Sequence, residues 1–152
     1  MKIKCHMCDG TGEYWLAKGL TCRTCQGTGQ VEISIPTQEN DEWWLGVTGK
    51  SGNNFGKWLL FVDKRKIDAV WAQIRQETQD EKLGVEAKVS TRKYWIHKGM
   101  PKDYVVCVYT NEDKTEIDRV RNRLKELGFI DTLGYKTNEA TRQASEELLY
   151  EY

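Results

Sequence analysis

Lys57-Trp58-Leu59-Leu60-Phe61-Val62 is nearly continuous in apolar character, with a Gly- and Asn-rich loop (48–56) before it and Asp63 behind it. A short run of this kind reads as a strand in the middle of a sheet, covered on at least one face. Forward from it, Asp63 offers an N-cap, and Ile67, Val70, Trp71 and Ile74 recur at helical spacing up to about Gln79. Residues 85–92 read as a strand, and its apolar character carries on through Tyr94-Trp95-Ile96. Residues 104–110 form another. Asn111 then offers a cap for a second helix with Ile117, Val120, Leu124 and Leu127 along one stripe and Gly128 as its stop. A brief strand at 133–136 and a third helix from 138 to about 150 complete the forward reading. Backward, Trp43-Trp44-Leu45-Gly46-Val47 is a short strand. The succession predicts an α+β domain over 43–152, its helices on one face of the sheet.

Farther back the chemistry changes. Cys5-His6-Met7-Cys8-Asp9-Gly10-Thr11-Gly12 returns as Cys22-Arg23-Thr24-Cys25-Gln26-Gly27-Thr28-Gly29. Two residues between paired thiolates let one tight turn supply two corners of a tetrahedron, and two such turns complete a zinc site. The glycines allow the positive φ that each turn needs. Cys5, Cys8, Cys22 and Cys25 are therefore the expected ligands of one structural zinc ion. His6 is expected to point to solvent, and Cys107, inside an apolar run, to be a small buried hydrophobe. Residues 1–35 become a zinc ribbon, closed by an alternating strand at 30–35, with 36–42 as a polar linker.

The chain has 152 residues, 23 cationic and 23 acidic side chains, and no net charge. A general polyelectrolyte coat for nucleic acid is excluded, though a local basic face is not. Hydrophobic residues at 39% are enough for a packed core. No apolar run approaches the ~18 residues of a membrane helix, and no signal peptide is legible. A cytoplasmic location is the expectation.

The doubled CxxCxGTG resembles the zinc-binding repeats of DnaJ-type chaperones and of many short zinc ribbons, over residues 3–31. Those chaperones carry four repeats and two zinc sites, whereas this chain has two repeats and no J-domain. The resemblance implies the metal site and not the co-chaperone role.

A second resemblance runs through Trp43-Trp44-Leu45, Gly56 to Val62, Val70-Trp71, Ala87 to Thr91, Val106 to Thr110 and Tyr135 to Thr141. In order, these blocks resemble the family of the basophilic leukemia expressed protein and its bacterial relatives. That family is said to share its fold with the cap-binding initiation factor of translation, and many bacterial members carry the label phosphothreonine-lyase-like. The resemblance implies a curved antiparallel sheet backed by helices, with a ligand groove on the open face. Cap-binding factors hold a methylated guanine between two tryptophans and read it with a glutamate that follows one of them. No tryptophan here precedes an acid, so specific recognition of a methylguanosine cap is not expected.

Lys88, Arg92, Lys93, Lys98 and Lys102 fall in one stretch without an acid, around Tyr94, Trp95 and His97. Interleaved cationic and aromatic side chains suit a ligand offering a flat ring and a phosphate. Trp43 and Trp95 are the candidate stacking platforms, while Trp44, Trp58 and Trp71 are expected in the core. Arg92, Lys57 and Lys136 are the candidate phosphate contacts. The plain alternative is a solvated charged loop beside a strand.

Three functions compete. The first is a non-enzymatic module holding a phosphorylated ligand, a nucleotide or RNA end, in an aromatic and basic groove. The second is a phosphate-eliminating lyase with Lys88 as base and His97 as acid. The third is a protein–protein adaptor acting through the ribbon.

Overall fold

A computed structural model describes residues 1–152, which form two compact units, Met1–Ile35 and Pro36–Tyr152. In the smaller, strand β1 (Lys2–Lys4) pairs antiparallel with β2 (Gln30–Glu32). The predicted strand thus stops three residues early. Between the strands the sequence repeat becomes a backbone repeat. Asp9 and Gln26 both take φ 51°, followed by Gly10 at 83° and Gly27 at 82°. Gly10 N–H donates to the Cys5 carbonyl and Gly27 N–H to that of Cys22, while the Thr11 and Thr28 hydroxyls donate to Cys8 and Cys25 carbonyls.

The larger unit carries strands β3 (Trp44–Thr48) and β4 (Gly56–Asp63), helix α1 (Ile67–Gln79), β5 (Glu86–Ser90), helix α2 (Arg92–His97) and β6 (Asp103–Thr110). Helix α3 (Lys114–Glu126), strand β7 (Gly134–Thr137), helix α4 (Asn138–Arg142) and strand β8 (Tyr150–Glu151) complete it. The sheet runs β3-β5-β6-β4-β7-β8, antiparallel at every pairing. Strand β4 lies inside it as its apolar run requires. Its alternation separates Trp58, Leu60 and Val62, which are buried, from Leu59 and Phe61 on the opposite face. The buried face packs on Ile67, Trp71 and Ile74 of α1 and Ile117, Val120 and Leu124 of α3. The Trp58 indole N–H donates to the Ile117 carbonyl at 3.1 Å, which satisfies its one polar atom. The opposite face of this curved sheet is only partly covered: Lys57 is buried against Thr141 of α4, while Phe61 is exposed.

Several expected boundaries move. Thr91 ends β5 and caps α2, its hydroxyl accepting from Tyr94 N–H, so Tyr94-Trp95-Ile96 is helical rather than extended. Asp113, not Asn111, caps α3 by accepting from Thr115 N–H; Asn111 instead supports Asp113 N–H. Asp63 does not cap α1, which begins after Lys66; its carboxylate accepts from Arg65. The helix expected to reach residue 150 is five residues long and is followed by Ala144 at φ 52°. Residues 150–151 join the sheet instead, and α2 brings the helices to four where about three were expected. Residues 36–42, expected as a linker, are tied to the larger unit. Thr37 bonds Asp68, Asn40 bonds Arg92, and the Asp41 carbonyl accepts from Lys93. No helix is long and apolar enough to cross a membrane.

Candidate functional site

The four ribbon cysteines meet as their spacing predicts. Cys5, Cys8, Cys22 and Cys25 are buried, none is in a disulfide, and their sulfurs all lie within 4.8 Å of one another. Cys5 Sγ stands 3.9 Å from Cys22 Sγ, and Cys8 Sγ 3.6 Å from Cys25 Sγ. A tetrahedron with metal–sulfur bonds of ~2.3 Å has sulfur–sulfur edges of ~3.8 Å, so the set fits a four-thiolate metal centre. Gly12 N–H donates to Cys8 Sγ at 3.2 Å and Gly29 N–H to Cys25 Sγ at 3.3 Å, which offsets negative charge on the sulfurs. His6 is exposed, as expected.

On the open face of the larger unit, strand register assembles a basic cluster. Lys57 of β4 lies opposite Tyr109 of β6 on one side and Lys136 of β7 on the other. Tyr109 in turn faces Glu86 of β5. Lys57 is only 6% exposed, yet its Nζ has neutral partners alone: Thr141 Oγ1 at 2.6 Å, Asn138 Oδ1 at 3.5 Å and the Tyr109 ring at 5.5 Å. Burial pushes its amine below the usual lysine range, and Lys136 and Lys88 push the same way. Lys88 also lies over the Tyr109 ring, at 5.5 Å, and bonds Glu86 at 3.2 Å. The Cys107 thiol on this face is pushed up to about 11 by burial, which keeps it protonated and makes it the small hydrophobe its sequence context suggested.

Farther along β4 the same face becomes aromatic. Phe61 is 67% exposed and borders a cavity of about 480 Å³ shared with Tyr94, Trp95, Val105, Lys98 and Lys102. Trp95 is half-buried rather than free. One face stacks on Tyr104 at 5.6 Å and its indole N–H donates to the Pro101 carbonyl at 2.7 Å. Trp44, expected in the core, is half-buried against Tyr94 at 4.7 Å on the open face.

The remaining candidates gather elsewhere. Trp43 is exposed, with Lys93 over its ring at 4.7 Å and His97 against it at 5.1 Å, and Arg92 is held by Asn40 at 2.8 Å. His97 thus sits on Trp43 while Lys88 sits on Tyr109, and neither lines the cavity beside Phe61. The sequence reading missed Phe61 and Tyr109 as open-face residues. Their strict alternation with Leu60 and Val108 was the signal that places them there.

The profile of the basophilic leukemia-expressed protein Bles03 matches residues 39–141, two thirds of the sequence. The chain belongs to the Bles03 family. No curated protein sequence matches it. Among solved structures, this Bles03 member is similar to a schistosome eIF4E complexed with m7GpppG and 4E-BP, at 18% identity and TM-score 0.51. It is similarly like that factor complexed with m7GpppA and 4E-BP, at 19% and 0.50. Both alignments cover 65% of this chain and 59% of the solved one, so the Bles03 member spans about three fifths of those proteins' length. The likeness establishes an eIF4E-like fold for the sheet and its helices.

Proposed function

We propose that the open face binds a phosphorylated ligand of the nucleotide or RNA-end class, without catalysis, and that the ribbon carries one structural zinc ion. The observation that carries the first part is Lys57, a buried cation with no carboxylate beside it. Burying an uncompensated ammonium is costly, and an incoming anion supplies the missing charge. Lys136 and Lys88 add positive potential on either side. Phe61 lies four residues along the same strand, ~13 Å from Lys57 at the usual strand rise. That span suits an elongated ligand with its ring by Phe61 and Tyr94 and its outer phosphate at Lys57. Lys98 and Lys102 beside the aromatic end serve an inner phosphate or the ring edge. The solved neighbours hold cap dinucleotides, which supports a nucleotide, although the two-tryptophan and glutamate arrangement of cap recognition is missing from this sequence.

Four thiolates in a tetrahedral set suit zinc, with iron as the chemical competitor. A partner-binding role for the ribbon has one specific support. Trp15 is 81% exposed at the tip of a hydrogen-bonded turn, where Tyr14 N–H and Leu20 carbonyl pair at 2.9 Å.

Isothermal titration with GTP, guanosine and pyrophosphate tests the ligand reading. GTP is expected to bind more tightly than either part, and Lys57→Ala to weaken GTP at least tenfold. Equal affinity for guanosine and GTP would remove the phosphate from the account. Elemental analysis of the purified protein tests the metal, with one equivalent of zinc expected.

A further inference from the structure

Strand β4 is only half covered on its outer side. Strand β7 pairs with Gly56 through Leu59, whereas β6 pairs with all eight residues. Leu60 through Asp63 therefore have a sheet neighbour on one side alone. Continuing the register would lay residues 130–133 beside them, since Gly134 already stands opposite Leu59. The chain is drawn away instead. Arg121 of α3, only 1% exposed, donates Nη1 to the Phe129 carbonyl at 2.8 Å, Nη2 to that of Asp131 at 2.7 Å and Nε to that of Tyr152 at 2.6 Å. Leu133 is also paired, through both N–H and carbonyl, with Tyr152.

The result is a cavity of about 530 Å³ between the outer part of β4 and the segment 129–134. Phe129, Leu133 and Leu148 line its apolar part. Asp131, Glu146 and Glu151 also border it, and none of the three takes part in any of the ion pairs of the molecule. Buried Arg121 fixes the far wall, so the gap is preformed and binding need not first open it.

We propose that this half-open edge receives an extended segment of a partner protein, added beside Leu60–Asp63 as a short extra strand. Main-chain bonds to the uncovered edge supply affinity in strand addition, and alternate side chains supply specificity. Here the alternate positions call for an aliphatic side chain over Leu133 and Leu148, and for Lys or Arg against the three carboxylates. The preferred segment alternates Val, Ile or Leu with Lys or Arg. This surface shares Phe61 with the proposed ligand face but none of the Lys57 cluster. Loss of peptide binding on N-methylation and loss of GTP binding in Lys57→Ala are read separately, so either proposal can fail while the other stands.

The test uses a fluorescein-labelled peptide of alternating Lys and Val, read by anisotropy with the full chain, beside the same peptide N-methylated at alternate amides. Amide hydrogen exchange is read in parallel. The plain peptide is expected to bind saturably, to slow exchange at Leu60–Asp63, and to lose binding on N-methylation. Glu146→Lys with Glu151→Lys is expected to weaken it at least tenfold. The proposal is overturned if the plain peptide fails to bind at about millimolar concentration, if the N-methylated peptide binds as well, or if exchange slows elsewhere instead. The N-methylated comparison uses the unaltered protein, so it remains decisive even if the charge-reversed variant folds poorly.

Discussion

At Lys57 a single amine ties ligand binding to stability. Its folded-state pKa lies below 10.5, the value it has when solvated, because burial penalises the charged form. Below the folded pKa both states hold the proton and the whole penalty is present. Between the folded pKa and 10.5 the unfolded chain binds more protons, so this group makes stability rise with pH across that window. Lys57→Met removes the penalty and keeps most of the packing. It is expected to stabilise the larger unit by about 1 kcal/mol, read as a higher urea midpoint, while GTP binding is lost. A destabilised variant that still binds GTP would contradict the role given to this residue. The pH dependence of binding follows with its sign. A bound phosphate raises the Lys57 pKa, so binding takes up a proton, and GTP affinity should fall as pH climbs through the free-state pKa toward 10.5. Titration calorimetry at stepped pH reads this directly. Lys57 and Lys136 are legible as cations from the sequence, but their pairing across strands is not. Register is set by the whole sheet, and a shift of one residue would send Lys57 into the core and Trp58 to the open face.

Among the elements, those whose pattern repeats are legible in the sequence, and those decided by one capping contact are not. The stripes of α1 and α3 repeat an apolar spacing of helical period, and β4 is legible as a short apolar run set between a glycine-rich loop and Asp63. Helix α2 has no such stripe. Tyr94-Trp95-Ile96 looks extended, and the Thr91 hydroxyl bonded to Tyr94 N–H turns it into a helix. Arg121 shows a similar limit. A cation on the buried face of a helix is unexpected until its three carbonyl partners, from segments 8 to 31 residues away, are in view. The cysteine knuckles are legible because their chemistry is local. Gly29 sits at φ +73°, and a Cβ there would stand 2.2 Å from the Gly10 carbonyl oxygen, backbone that cannot yield. Gly29→Ala is expected to lower the ribbon's metal affinity at least about tenfold. Cobalt substitution reads it through loss of the thiolate charge-transfer bands. Unchanged bands would mean that the two knuckles do not need their close approach.

At the scale of the whole molecule, two compact units with separate cores call for separate unfolding. The smaller core is the cysteine set with Tyr14 and Val31, too little apolar surface to hold a fold unless a metal ion joins the four thiolates. A chelator is therefore expected to collapse the amide resonances of residues 1–35 and leave those of 36–152 in place. Loss of both sets together would show one cooperative body. The α+β class and the family resemblance are readable from ordered blocks of sequence. The division of the open face into a basic and an aromatic end comes only with the sheet, because β4 and β6 meet α2 there. The most direct measurement of ligand binding is a titration of the isotope-labelled full chain with GTP, followed by amide and side-chain resonances. Saturable shifts at Lys57, Lys88, Tyr109 and Lys136, with Phe61 and Tyr94 moving in step, are the predicted result. Shifts confined to the Trp43, Arg92 and His97 patch or to the ribbon, or none at millimolar GTP, would contradict it.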